Sequence, residues 1–275
     1  MRDILGLLRW RSLGQPAAGW EGSALSSVGG RGNNQDQARV QLLEARDNLW
    51  GCSVLAAVAD GMGGHEDGAR ASQIAVETVW EVLAARQRDR GEFGEAWRTS
   101  SPTDRVARAI RLANSRVHAP RGDDGMARSM GTTLTLLVGR DEEAVIGHVG
   151  DSRAYVLAAG ELRQATQDHT FVAEAVANGS VTPEEAVDSP FAGQLTRGVG
   201  LHAEVVPDAF VLPVRAGMTV ILCSDGLTGV LADEDIRAAA RSARDMAGLA
   251  RSLIATAEAR EPTDNISVVC LRRSP

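Results

Sequence analysis

The 275-residue chain carries 44% apolar and 24% charged side chains, the balance of a globular protein with ample material for a core. A formal charge of −7, no dense basic run, and only one Tyr and four Phe argue against a nucleic-acid-binding surface. No stretch approaches the roughly 20 apolar residues of a membrane span. Cys52, Cys223 and Cys270 lie far apart in apolar runs, so they read as buried free thiols in a reducing, cytoplasmic compartment, with no CxxC pair for zinc.

In chain order, residues 1–23 read as an N-terminal extension. Its apolar set, Ile4, Leu5, Leu7, Leu8 and Trp10, is too short for a secretory signal, and Gln15 to Gly22 resembles a linker. The folded domain is expected over 24–275. A strand begins at Ala24 to Val28, RGNNQD at 31–36 is a turn, and Ala38 to Leu43 resumes strand-like alternation. Val54 to Ala59, VLAAVA, is the run of a buried strand. A helix follows from Gly68 to Arg86, with Ala71, Ile74, Ala75, Val79, Val82 and Leu83 at helical spacing. After a polar, irregular stretch, Thr103 to His118 is a second helix, and Pro120 to Ser129 is a loop.

Thr132 to Val138, Ala144 to Val149 and Ala154 to Leu157 read as consecutive strands whose short loops favour antiparallel pairing. Phe171 to Asn178 and Pro183 to Val187 are short helices in a loop-rich insert. Met218 to Cys223 is a buried strand, Asp233 to Arg244 and Asp245 to Arg260 are helices, and Ile266 to Leu271 closes the chain as a strand. Strands and helices alternate without βαβ regularity, which predicts an α+β fold of antiparallel sheets covered by helices.

The chemistry is expected where strands end in carboxylates. Asp60 follows VLAAVA, Asp151 follows AVIGHVG, Asp225 follows TVILCS, Asp264 precedes the strand ISVVC, and Asp36 ends RGNNQD. One such Asp is usually a cap or turn residue. Five, without nearby Lys, would repel one another if brought together unless cations neutralise them. Oxygen-only ligands select hard ions such as Mg²⁺ or Mn²⁺. Arg31 offers a planar fork for phosphate, and His65, His148 and His169 are candidates for acid chemistry. The chain has no GxxxxGK[ST] loop, no HExxH and no GxSxG elbow.

RGNNQD (31–36), DGMGGH (60–65), MGTTLTLL (130–137), GHVGDSRAY (147–155), TQDHTFV (166–172), LCSDGL (222–227) and PTDNISVV (262–269) resemble, in order, the motifs of the PP2C-type metal-dependent Ser/Thr protein phosphatases. DGMGGH resembles the bacterial branch more than the DGHxG of animal members. The resemblance implies an αββα four-layer sandwich with two Mn²⁺ or Mg²⁺ ions at one end of the sheets. It implies that Asp60 bridges the metals, with the Gly61 carbonyl on one and Asp225 and Asp264 on the other. Asp36 would act through bound water, Asp151 would serve a third, weaker metal, and Arg31 would grip the substrate phosphate. The insert at 169–205 matches the family's flap.

Three departures stand out. Met62 replaces the animal histidine proposed as general acid, so His65 becomes the candidate donor. Gln35 replaces a common Glu, and Gly193 falls where some bacterial members carry a flap serine near the third metal. The resemblance implies hydrolysis of phosphoserine and phosphothreonine by a dinuclear-metal-activated water, opposing a bacterial Ser/Thr kinase, in a cytoplasmic monomer. The alternatives are a non-catalytic sensor or scaffold of the same fold and a phosphatase for small phosphate esters.

Overall fold

VLAAVA lacks a polar face because both of its faces are covered. In strand β3 (Val54–Met62), Val54, Ala56 and Val58 enter one apolar cluster while Leu55, Ala57 and Ala59 enter another, the two-residue alternation of a strand. Strand β10 (Thr219–Cys223) does the same, with Val220 and Leu222 facing the first cluster and Ile221 and Cys223 facing a third. Strands buried on both faces belong to the inner layers of a stack.

The computed structural model describes residues 19–63, 66–119, 130–140, 142–182, 185–186, 189–191 and 193–274. The remaining strands are β1 (Trp20–Ser27), β2 (Asp36–Leu42), β4 (Gly131–Thr132), β5 (Leu134–Arg140), β6 (Glu143–Val149), β7 (Arg153–Ala158), β8 (Glu161–Gln164), β9 (Asp208–Pro213) and β11 (Ile266–Arg273). Among the described residues one sheet runs β1-β11-β10-β7-β8 and the other β2-β3-β5-β6-β9, with β4 paired to β3, and every pairing is antiparallel. The first cluster, with Trp20, Leu137, Ile146 and Val269 at its centre, fills the space between the sheets.

Helices α1 (Glu66–Leu83) and α3 (Pro102–His118) cover the outer face of the second sheet, and a short helix α2 (Glu95–Arg98) lies between them in sequence. Ser101 caps α3 by accepting the Asp104 N–H at 3.1 Å, with Pro102 opening the helix. Beyond α4 (Phe171–Ala177) and a single turn α5 (Asp225–Thr228), helices α6 (Asp233–Ser242) and α7 (Met246–Glu258) cover the first sheet. The layers are therefore helix, sheet, sheet, helix, as expected. Among the described residues no helix is long and apolar enough to cross a membrane, and Cys52, Cys223 and Cys270 are buried free thiols.

Several boundaries differ from expectation for physical reasons. β1 begins at Trp20, inside the expected linker, because Trp20 is fully buried and pairs with Arg273. β3 does not stop at Ala59 but continues through Asp60 and Gly61 to Met62, since β4 gives it a partner there. Strands β6 and β7 are not paired with each other, as Gly150 and its neighbours carry the chain from one sheet to the other. β8 and β9 are edge strands that the sequence reading did not mark. Residues 87–92 form a 3₁₀ turn. The apolar set Ile4 to Trp10, the loop Pro120 to Ser129 and most of Pro183 to Val187 lie outside the described residues.

Candidate metal centre

Each sheet delivers carboxylates to the same end of the sandwich. Asp36 opens β2 and stands directly opposite Asp60 on β3 in the strand register. From the other sheet, β10 ends just before Asp225, the first residue of α5, and Asp264 precedes β11. Asp151 lies in the crossing between β6 and β7. Charge links them: Asp225 raises the pKa of Asp36, Asp60 and Asp151, and Asp264 raises that of Asp36 and Asp60. Asp60 is also in hydrogen-bond contact with the Asp225 carboxyl.

Burial is the first cause in each case. It pushes Asp36 up to about 7 and Asp151 up to about 7, and raises Asp60 well above the carboxylate range. Asp36 Oδ2 accepts from Ser224 Oγ at 2.8 Å, yet Asp36 Oδ1 and Asp225 Oδ1 are buried with no hydrogen-bond partner among the described residues. Buried carboxylate oxygens without donors are costly unless a cation occupies the space between them. The donor set is all oxygen, so these residues fit a hard divalent ion. Among the described residues no three acidic, imidazole or thiol groups are already gathered in ligating geometry.

Asp264 is held by Arg31. The Arg31 Nε donates to Asp264 Oδ1 at 2.9 Å and Nη2 to Oδ2 at 2.7 Å, a bidentate fork across the mouth of the cluster. The pairing raises the Arg31 pKa further, first through the hydrogen bond and then through charge, with Asp60 and Asp225 adding to it. The sequence reading assigned these two residues separate tasks, phosphate and metal, and had no sign that they engage each other.

The framework is set by residues to which that reading gave no role. Asn265 is buried, and its Nδ2 donates to the Val28 and Asn33 carbonyls at 2.8 and 2.9 Å while its Oδ1 accepts the Gln35 N–H at 2.8 Å. It ties the RGNNQD turn to the head of β11. Thr133 Oγ1 accepts the Asp60 N–H at 2.9 Å, and Thr132 Oγ1 donates to the Asp60 carbonyl at 2.8 Å. The signal available in sequence was polar type in apolar company: an Asn heading a buried strand and paired Thr opposite DG. Asn265→Ala strips partners from three backbone groups, and partial access of water leaves a cost of roughly 3 kcal/mol. The expected result is a Tm lower by about 10 °C in a thermal melt, with unchanged melting counting against this role.

Gly61 is glycine for closeness, not for a turn. A Cβ there would lie 2.1 Å from the Gly68 carbonyl oxygen, and one on Gly68 would lie 2.8 Å from that of Gly61. The two glycines let the start of α1 press onto β3 beside Asp60. The tight turn falls instead at Gly63, whose φ is 130°. His65 lies outside the described residues. His148 and His169 are fully buried against each other, with ring centroids 4.5 Å apart. Burial pushes His148 down to about 3 and lowers His169. His148 spans Thr135 and Gln167, and His169 spans Gly150 and Asp208, so both serve as struts and not as acids. The return limb of the 169–205 insert is stitched to the cluster, as Thr132 and Val199 exchange backbone hydrogen bonds of 3.0 and 2.8 Å.

This architecture is shared. A family model described as Protein phosphatase 2C matches residues 30–264. A serine/threonine phosphatase, stp, of Listeria welshimeri is 32% identical over 247 residues, covering 89% of this chain and 92% of that protein. Among solved structures, the S. agalactiae serine/threonine phosphatase superposes with a TM-score of 0.80 at 30% identity, covering 93% of this chain and all of that one. The catalytic domain of the serine/threonine phosphatase PstP, in complex with two manganese ions, gives 0.75 at 32% identity over 94% of this chain and 99% of that one. With acids from both sheets converging at one end of the same four layers, the chain belongs to the protein phosphatase 2C family of metal-dependent serine/threonine protein phosphatases.

Proposed function

We propose that phosphoserine and phosphothreonine of protein substrates are hydrolysed at the cluster of Asp36, Asp60, Asp225 and Asp264, with Arg31 receiving the substrate phosphate. The observation that carries this reading is the pair of buried oxygens, Asp36 Oδ1 and Asp225 Oδ1, that no donor among the described residues satisfies. Asp36, Asp60, Asp225 and Asp264, with the Gly61 carbonyl, would hold two ions, Mn²⁺ or Mg²⁺, and Asp151 a third, weaker one. When bound, such cations supply Lewis acidity toward water and phosphoryl oxygen.

The chain's own groups do the positioning. Ser224 fixes Asp36, and Thr132 and Thr133 fix the backbone of Asp60. Arg31 is 57% exposed while paired to Asp264, so a dianionic phosphate arriving from solvent competes for the same fork. His65, in DGMGGH, is assigned the proton for the leaving Ser or Thr oxygen. The phosphatase domain, expected over 24–275, is assigned from Trp20 onward because β1 opens there, with its flap at 169–205, acting as a cytoplasmic monomer opposite a cognate Ser/Thr kinase.

A phosphothreonine peptide assay on chelator-stripped protein tests the reading. Turnover is expected to vanish on stripping and to return with Mn²⁺ or Mg²⁺; full turnover in excess EDTA overturns it. Arg31→Ala is expected to lower kcat/KM about tenfold, chiefly through KM. That is the lower end of a charged hydrogen bond's worth, about 1.5 kcal/mol, because the guanidinium is largely exposed. Unchanged kinetics would remove Arg31 from the site.

A further inference from the structure

The end of the second sheet remote from the aspartates holds a cavity of about 550 Å³. β5 connects the two places. Its first residue, Leu134, follows Thr133 beside Asp60, and its last, Arg140, lines the cavity. At about 3.3 Å per residue the strand sets the cavity roughly 20 Å from the metal centre. The volume lies within the range of small-molecule pockets, about 300–1,000 Å³. Its walls are apolar where Trp50, Leu83, Val106 and Val145 line it.

Arg105 brings a cation to this apolar setting. The Arg105 guanidinium lies over the Trp50 ring, 4.2 Å from its centroid. Its Nη2 donates to the Ser100 carbonyl at 2.7 Å, while its Nε is buried and has no acceptor among the described residues. Among the described residues no carboxylate pairs with it. Glu142 and Glu143 also line the cavity but are exposed to water at its rim. Burial lowers the Arg105 pKa, and the nearby positive charge of Arg140 lowers it further. On this half-buried side chain the buried Nε–H without an acceptor is costly, and an anion with a planar pair of acceptor oxygens removes that cost. The Cys52 thiol on the same wall is pushed up to about 11 by burial, which leaves it inert as a nucleophile. The cavity is thus suited to reversible binding and not to covalent chemistry.

We propose that this cavity is a second ligand site, which binds a small organic carboxylate with its head on Arg105 and an apolar chain along Leu83, Val106 and Val145. The site is separate from the phosphatase centre and does not depend on the reading given for it.

The test is calorimetric titration of the manganese-loaded full chain with decanoate, and with decanol as a neutral counterpart of the same length. Decanoate is expected to bind saturably, one per chain, with decanol at least tenfold weaker. Arg105→Gln should weaken decanoate at least tenfold, and Val145→Phe, which fills the cavity, should abolish its binding. Phosphopeptide turnover of both variants should stay near that of the parent, showing that the fold is intact. Failure of decanoate to saturate, equal affinity for decanol, or full affinity in Arg105→Gln would each overturn the proposal. If Val145→Phe does not fold, the half-exposed Arg105→Gln decides alone.

Discussion

Asp225→Asn is expected to lower kcat for a phosphothreonine peptide at least about a hundredfold in saturating Mn²⁺, with the fold intact. Asp225 is a clean place to ask the question because, among the described residues, its Oδ1 is buried without a donor, and the single-turn helix that it opens is held by its backbone carbonyl. Asn keeps the shape and removes the charge. Loss of a group that merely supports a metal ligand costs about 10- to 100-fold, and loss of a ligand itself lies beyond that. Circular dichroism and melting temperature should match the parent. A variant retaining a tenth of the parent's turnover would take Asp225 out of the centre.

Divalent metal is expected to raise the melting temperature by about 5–10 °C, and the rise should widen with pH. At a hundredfold excess over Kd, a ligand specific for the folded state adds about 2.7 kcal/mol, worth about 2–4 °C each in a domain of this size. The pH dependence follows from the direction of the carboxylate shifts. Asp36 and Asp151 sit near 7 and Asp60 is raised, whereas unfolded aspartates titrate near 3.9. Between about pH 4 and 7 the folded chain therefore binds more protons than the unfolded one. The contribution of these groups to stability is fully present below pH 4 and is lost as pH rises through 7. Cations compete with those protons, so their benefit grows over the same window. Melts at pH 5 and pH 8, with EDTA and with millimolar Mn²⁺, should show the gap opening. Asp60→Asn should close most of it and raise the metal-free melting temperature at pH 8 by removing one repelling charge. A gap that is absent, or equal at both pH values, contradicts the shared site.

What the sequence made legible was whatever depends on local pattern. Val54 to Ala59 and Met218 to Cys223 announce buried strands because central strands need apolar side chains on both faces. Asp60, Asp225 and Asp264 could be picked out because each stands at the end of such a strand, and Asp36 because it closes the RGNNQD turn. Edge strands gave no such signal. Glu161–Gln164 is half exposed, and Val211 in Asp208–Pro213 is 46% exposed, so their composition looks like that of loops. Sheet membership was hidden too. The connection at Gly150 reads as a hairpin turn, yet it crosses between layers, since a short turn looks alike whichever sheet receives the next strand. The grip of Arg31 on Asp264 and the threefold tie made by Asn265 were out of reach for another reason. They join positions more than two hundred residues apart, about which neighbouring letters carry no information.

That separation also dictates when the enzyme comes into being. Arg31 and Asp264 are 233 positions apart, and β1 must zip onto β11 before the RGNNQD turn can rest on Asn265. Closing so long a loop belongs late in folding, after local helices and hairpins have formed. Cations that act on contacts absent from the transition state slow unfolding and leave the folding rate nearly untouched. Asp36 and Asp60 ride on one sheet, Asp225 and Asp264 on the other, so no partly folded species carries a working centre. For this chain, catalytic competence is expected only once the two sheets have joined.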